Sequence, residues 1–309
     1  MIPFLDMKSA YAELKPELDA AYRRVMESGW FVLGEEVEAF EAEYAAFCGA
    51  RHCVGLGNGL EALELVLRAW DLGPGDEVIV PSNTYIATWL AVTAVGAKVV
   101  PVEPTPEGPN IDPDRIAAAV TSRTRAIMPV HLYGEPAGMD AIMALAGTHG
   151  LKVVEDVAQA QGAKVRNRRT GALGHAGAHS FFPTKNIGAY GDGGAVTTDD
   201  ATLADRLRTL RNYGSKVKYV NIERGYNSRL DEMQAAFLRV KLKVLDAWNG
   251  RRRRIAARYD DKLAGIPGLG LPRAPQWAEP VWHLYVVRTA RRKELMAALE
   301  KAGIGSLIH

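Results

Sequence analysis

The stretch HSFFPTKNIGAYGDGGA, residues 179–195, decides how this chain is read. A short apolar run (Phe181, Phe182, Pro183) leads into a single lysine, Lys185, and a glycine-rich turn (Gly188, Gly191, Gly193, Gly194) follows it. A lysine at the end of a strand of buried character is costly in its charged form. Desolvation lowers the pKa of the amine and makes it a candidate nucleophile or Schiff-base former. A lysine taken alone is more often a solvated loop residue. Two features upstream shift the reading.

The first is GLGNGLEAL, residues 55–63, where a glycine turn opens a helix. Backbone N–H groups at such a helix start form an anion site by geometry and by the helix dipole. The turn is not GxGxxG and lacks the GK[ST] of a phosphate loop, so it supports neither a dinucleotide fold nor an NTPase. Alone it is equally a plain strand-to-helix turn. The second feature is VVEDVAQAQGA, residues 153–163, which puts Glu155 and Asp156 at the end of an apolar strand. Ligands in open α/β sheets bind at the carboxyl ends of the strands. A carboxylate there can keep a pyridine nitrogen protonated and make the ring an electron sink, although an aspartate can equally cap the next turn. Gln159, three residues on, could donate to a phenolic oxygen. Glycine turn, strand-end aspartate and strand-end lysine, in that order, point to pyridoxal 5'-phosphate (PLP).

The rest of the chain supplies a frame for this constellation. Helices are expected over 9–28 and 35–47, with a turn holding Trp30 and Phe31 between Gly29 and Gly34. Short apolar strands at 53–54, 78–81, 98–102, 126–130 and 151–154 alternate with helices near 60–70, 84–95, 112–120 and 139–149. Asp112 and Pro113 form an N-cap and N1 pair, and Gly150 is a helix stop. Two more strands, 178–182 and 195–198, precede a helix at 200–211, a polar loop at 213–229 and a helical stretch at 230–264. A strand is expected at 281–288 and a helix at 291–302. Such alternation predicts an α/β fold with a mainly parallel sheet buried on both faces. Residues 1–245 are expected to form a large cofactor-binding domain, and 246–309 the start of a smaller α+β domain.

Composition excludes several classes. The 309 residues carry 48% hydrophobic and 24% charged side chains with a net charge of +2, ordinary for a soluble globular protein and without the field that nucleic acid requires. The arginine run Arg251–Arg254 reads as a solvated helix face. Cys48 and Cys53 make neither a disulfide framework nor a zinc site, and no metal is expected. Absence of an apolar leader or membrane-length run leads to the expectation of a cytoplasmic protein.

At these residues the chain resembles the DegT/DnrJ/EryC1/StrS family of sugar-nucleotide aminotransferases, PLP enzymes of the aspartate aminotransferase (type I) fold. The resemblance runs through SGWFVLGEEVEAFE, VPSNTYIATWLAV, PVHLYG, EDVAQAQGA, SFFPTKNIGAYGDGGAV and NYGSKVKYVNIERGYNSRLDEMQAAFL. It implies that Lys185 binds the cofactor covalently, that Asp156 partners the pyridine nitrogen and that Gln159 lies near the ring oxygen. Gly57, Asn58, Gly59 and Ser180 would hold the phosphate, and Tyr85 would stack on the ring. Asn227 would reach the phosphate in the other subunit of a homodimer with shared active sites.

The resemblance further implies amino transfer from L-glutamate to a keto sugar nucleotide. The pattern around Lys185 resembles members that act on dTDP-3-keto-6-deoxyhexoses, with 4-keto acceptors as the alternative. Phe31, His179, Lys216, Tyr219 and His309 are the substrate-side candidates. Lys216 and Lys218 would either hold the nucleotide diphosphate or stand as exposed loop lysines. His179 replaces a common aromatic and would either touch substrate or fill the core. Family chains run on from a histidine–tyrosine pair of which His309 would be the first, so the smaller domain is expected to be incomplete. A non-catalytic regulator on this fold would be expected to lose Lys185 or Asp156, and both are present.

Overall fold

The computed structural model describes residues 1–309. At its centre lies a sheet of seven strands: β1 (His52–Leu56), β2 (Glu77–Pro81), β3 (Lys98–Val102), β4 (Thr124–Ile127), β5 (Lys152–Asp156), β6 (Ala176–Ser180) and β7 (Gly194–Thr198). They are ordered β1-β7-β6-β5-β4-β2-β3. Only β7 runs against its neighbours; it pairs antiparallel with both β1 and β6. All the other adjacent strands are parallel.

Eleven α-helices flank or extend this sheet. They include α1 (Met7–Glu13), α2 (Lys15–Ser28), α3 (Glu35–Cys48), α4 (Gly59–Ala69), α5 (Ile86–Ala94), α6 (Pro113–Ala119), α7 (Met139–His149), α8 (Ala201–Leu210), α9 (Glu232–Leu242), α10 (Leu245–Leu263) and α11 (Arg292–Lys301). The apolar strands are explained by burial on both faces. Val54, Leu56, Val78, Val80 and Val154 pack under α4, α5 and α8. Their alternating neighbours Ile79, Ile127 and Val153 pack under α6 and α7, and Cys53 and Ala195 under α3 and α9.

Strand alternation assigns the two strand-end carboxylates to different tasks. Asp156 shares the parity of Val154 and faces the α4–α5 side. Glu155 points to the other side and is fully buried. It accepts the N–H groups of Gly171, Leu173 and Gly174 at 2.9, 2.8 and 2.8 Å. Its fourth partner is His131 Nε2 at 2.9 Å. The Ala137 N–H donates to His131 Nδ1, so Nε2 carries the proton that Glu155 accepts. Burial alone would raise the Glu155 carboxyl, but His131 and these N–H groups outweigh it and hold it below its ordinary value. Its stabilising contribution is therefore complete above the unfolded-state pKa and is lost as pH falls through the folded-state one. Glu155→Ala leaves three backbone N–H groups and the His131 Nε2–H without their acceptor and should cost about 3–5 kcal/mol. Chemical denaturation checks this, and a loss under about 1 kcal/mol would contradict it.

Several expected elements differ from the structure. The first helix is broken at Leu14, because Pro16 cannot continue a helical hydrogen-bond ladder and instead starts α2. The polar loop at 213–229 contains a small hairpin, Ser215–Val217 with Val220–Asn221. Residues 281–288 form no strand. Trp282 sits in the left-handed region at φ 48°, and the N–H groups of Val281 and Leu284 donate to Gly134 and Tyr133 carbonyls on the sheet-bearing part. Nor is the arginine run simply a solvated face. Arg251 pairs with Glu13, Arg253 with Glu279, and Arg252 donates to the Trp282 carbonyl. At the opposite end of the chain, Ile2 runs beside Ile304. No helix is long and apolar enough to cross a membrane.

Candidate active site

The glycine turn, Asp156 and the turn that carries Lys185 converge at one end of the sheet, beside the carboxyl ends of β1, β5 and β6. Leu56, Gly194 and Ser180 lie in register at the carboxyl ends of β1 and β6 and the start of β7. Asp156 ends β5, one strand over, opposite Ala178. The turn at 57–59 lies flat on this end. A Cβ on Gly59 would meet Ser180 Cβ at 2.6 Å, and one on Gly194 would meet the Asn58 carbonyl carbon at 2.4 Å. Glycine is thus required on both sides of the contact that brings the turn onto Ser180.

The turn is built to receive an anion. Asn58 caps α4 through its Oδ1, which accepts the Glu61 N–H at 2.9 Å. The Gly59 and Leu60 N–H groups, in the first turn, have no helical partner. The Gly57 N–H donates to Ser228 Oγ at 3.1 Å, which fixes the turn against the segment that carries Asn227.

Asp156 is buried, and both its oxygens are held. Oδ1 accepts the Ala158 N–H at 3.1 Å and Oδ2 the Thr88 hydroxyl at 2.9 Å. Burial pushes this carboxyl up, against the downward pull of those donors and of Lys185. Lys185 is half-buried in the turn after β6, its N–H donating to the Phe182 carbonyl at 2.9 Å. Burial lowers the amine, and Asp156 is the cation's counter-charge. Each of the two groups therefore feels the other's charge. Gln159 is buried, and its Oε1 accepts the Tyr133 N–H at 2.7 Å, which leaves its amide nitrogen as the donor end.

The remaining candidates are placed differently. His179 is not at the site. It has no exposed surface, and its nitrogens engage Tyr44 Oη at 3.0 Å and Thr197 Oγ1 at 2.8 Å on the sheet face opposite Ser180. Odd and even residues of β6 point to opposite faces, which makes His179 a core residue and removes it from the substrate set. Tyr85 is 68% exposed at the start of α5, one turn before Thr88. Phe31 and Asn227 are also exposed. Tyr219 stands 87% exposed at the hairpin tip, and Lys216 is taken up by an ion pair with Asp205. His309 does reach the site. Its ring meets Tyr133 edge-on at 5.0 Å, and burial followed by the nearby Lys185 cation holds it below its ordinary pKa.

Several site residues were not singled out from sequence. Thr88 and Tyr133 both sit inside quoted motifs, but nothing in those motifs marks them. Tyr133 lies in the left-handed region at φ 60°, a strain that places its N–H on Gln159. Asn186 and His283 are joined at 3.0 Å next to Lys185.

The donor set fits pyridoxal phosphate. A buried carboxylate suits a pyridinium, a half-buried amine an aldehyde, and the Gly59 cradle a phosphate. Fold and donor set together define a pyridoxal-phosphate enzyme of the aspartate aminotransferase type. Residues 12–309 match the model of the DegT/DnrJ/EryC1/StrS aminotransferase family. The chain is 58% identical to the Streptomyces venezuelae "dTDP-3-amino-3,4,6-trideoxy-alpha-D-glucose transaminase", covering 100% of this chain and 81% of that one. It is 56% identical to the Saccharopolyspora erythraea "Erythromycin biosynthesis sensory transduction protein EryC1", covering 100% and 84%. A crystal structure of S. venezuelae DesV in complex with a ketimine intermediate superimposes with a TM-score of 0.98 at 58% identity, covering 100% of this chain and 83% of that one. The chain belongs to the DegT/DnrJ/EryC1/StrS family. It is a pyridoxal-phosphate-dependent aminotransferase.

Proposed function

We propose that this aminotransferase moves the amino group of L-glutamate to a dTDP-3-keto-6-deoxyhexose. The observation that carries the chemistry is that buried Asp156, at the carboxyl end of β5, and half-buried Lys185, in the turn after β6, are near enough for each to shift the other's ionisation. Support for the acceptor comes from the Streptomyces venezuelae relative, a dTDP-3-amino-3,4,6-trideoxy-alpha-D-glucose transaminase. Bound here, pyridoxal phosphate supplies an electron-poor ring that takes up the electron pair of the bond broken at the substrate α-carbon.

The side chains divide the remaining work. Lys185 offers a desolvated amine that would hold the cofactor through its aldehyde, and it is the group placed to carry the α-proton as general acid and base. Asp156, fixed by Thr88 and Ala158, keeps a positive pyridine nitrogen in place. The Gln159 amide nitrogen donates to the ring oxygen. The α4 N-terminus and Ser180 hold the phosphate, with Gly57, Asn58 and Gly59 shaping the turn. Tyr85 covers the ring face, and His309 and Phe31 line the substrate side. Residues 1–245 form the cofactor-binding domain and 246–309 belong to a smaller one, to which the first residues of the chain cross.

The working unit is a homodimer in which Asn227 completes the partner's phosphate site. Tyr85, Phe31, Phe182 and Tyr219 are exposed apolar side chains in a single chain, a surface that a second copy would cover. A cytoplasmic setting fits the two buried free thiols, Cys48 and Cys53. Mixing Lys185→Ala and Asn227→Ala chains tests the sharing. One intact site per heterodimer should restore about a quarter of wild-type activity. Activity no greater than the sum of the two parents would refute shared sites. For the acceptor, glutamate is assayed with a panel of 3-keto and 4-keto dTDP-sugars. Turnover confined to the 3-keto members is expected, and turnover confined to the 4-keto members would overturn the assignment.

A further inference from the structure

The residue after the reactive lysine is held by a chain of hydrogen bonds whose directions are forced. Asn186 is buried, and its Nδ2 donates to the Val281 carbonyl at 3.2 Å and to Asn249 Oδ1 at 3.0 Å. A backbone carbonyl only accepts, so the Asn186 amide has one possible orientation. Its Oδ1 must then face His283 Nδ1, 3.0 Å away. Oδ1 also only accepts, so Nδ1 carries the imidazole proton and Nε2 keeps its lone pair. Burial, the Lys185 and Arg252 cations and His309 hold the ring's pKa down to about 3, so no second proton is taken up.

The same network is anchored on both sides. Arg252 of α10 donates to the His283 carbonyl at 3.4 Å and the Trp282 carbonyl at 3.2 Å. Asn249, also on α10, donates to the Gln161 carbonyl at 2.9 Å, and the Gln161 side chain donates to the Ser180 carbonyl at 2.8 Å. The end of β6, the loop after Asp156 and helix α10 thus all converge on Asn186.

We propose that His283, locked as the Nδ1–H tautomer against Asn186, is a positioning residue that holds Lys185 in the one orientation from which its amine reaches both cofactor and substrate. The proposal rests on Lys185 being the cofactor lysine, but it fails separately. Its first readout is independent of turnover. The holoenzyme is labelled with 15N-histidine, and the His283 signals are assigned by their loss in His283→Phe. A protonated Nδ1 and an unprotonated Nε2 are expected throughout about pH 6 to 9. A mixture of tautomers, or protonation near the ordinary value of about 6.5, would overturn the proposal.

The second readout separates positioning from simple folding. His283→Phe keeps bulk but removes the donor. It should lower kcat about 10- to 100-fold and leave the KM for glutamate within about threefold. It should also slow the return of the visible band when cofactor is added to stripped enzyme. His283→Asn places an amide donor where Nδ1 was and should restore kcat to within about threefold of wild type. A Phe variant with unchanged kcat, or an Asn variant as impaired as Phe, would refute the role. Were the Phe variant not to fold, assignment through His283→Asn leaves the tautomer measurement to decide.

Discussion

Lys185→Ala is expected to lose amino transfer by about 10³-fold or more, because one substitution removes both the covalent anchor and the proton carrier. The enzyme should also lose the visible band of the lysine-bound cofactor. Lys185→Arg should fail as completely. A guanidinium cannot be deprotonated in a protein, so it can neither attack an aldehyde nor accept the α-proton. The fold should survive the alanine change. Lys185 lies in a turn, its backbone N–H donates to Phe182 whatever the side chain, and burial already works against its charge. The Tm is expected to be unchanged or raised, since sites strained for function give up stability. Turnover within tenfold of wild type in Lys185→Ala would remove the lysine from the mechanism.

Asp156→Asn should lower kcat on the order of 10³-fold while leaving the cofactor bound. The substitution removes charge and little else. The Ala158 N–H can only donate, so the asparagine oxygen stays on it and the new amide group faces Thr88. The Thr88 hydroxyl already shares a hydrogen bond with Thr84 Oγ1 at 2.8 Å and can turn its proton there, accepting from the amide instead. Local structure therefore tolerates the change, whereas a neutral amide no longer favours a protonated pyridine nitrogen. Glutamate KM and a spectroscopic cofactor titration should change little. Loss of cofactor with retained turnover per bound cofactor would show that Asp156 is only structural.

The sheet was legible because its chemistry is simple. Strands buried on both faces must be apolar throughout, and Gly29, Gly49 and Gly150 end their helices in the left-handed conformation. The site was legible only in part. Asp156 and Lys185 could be picked out because each is a costly residue at a strand end. The division of labour between Asp156 and Glu155 needed the sheet itself, since strand parity sends one toward Thr88 on α5 and the other under the loop at 171–174. The same parity took His179 into the core against Tyr44. The failed strand at 281–288 shows the converse. Its composition suits a strand, but the backbone of Val281 and Leu284 found partners on the sheet-bearing part. His283 escaped notice because its role lies in a hydrogen-bond direction, which no spacing of residues encodes.

Reduction of the holoenzyme with borohydride, followed by peptide mass spectrometry, tests most directly whether the amine in the turn after β6 holds the cofactor. The chain has a more deeply buried lysine, Lys241, whose pKa burial lowers to about 8 and whose ammonium donates to the Gly188 carbonyl. It is therefore the natural competitor for an aldehyde. The phosphopyridoxyl group is expected on Lys185 alone. Its recovery on Lys241, or on no lysine at all, would contradict the assignment.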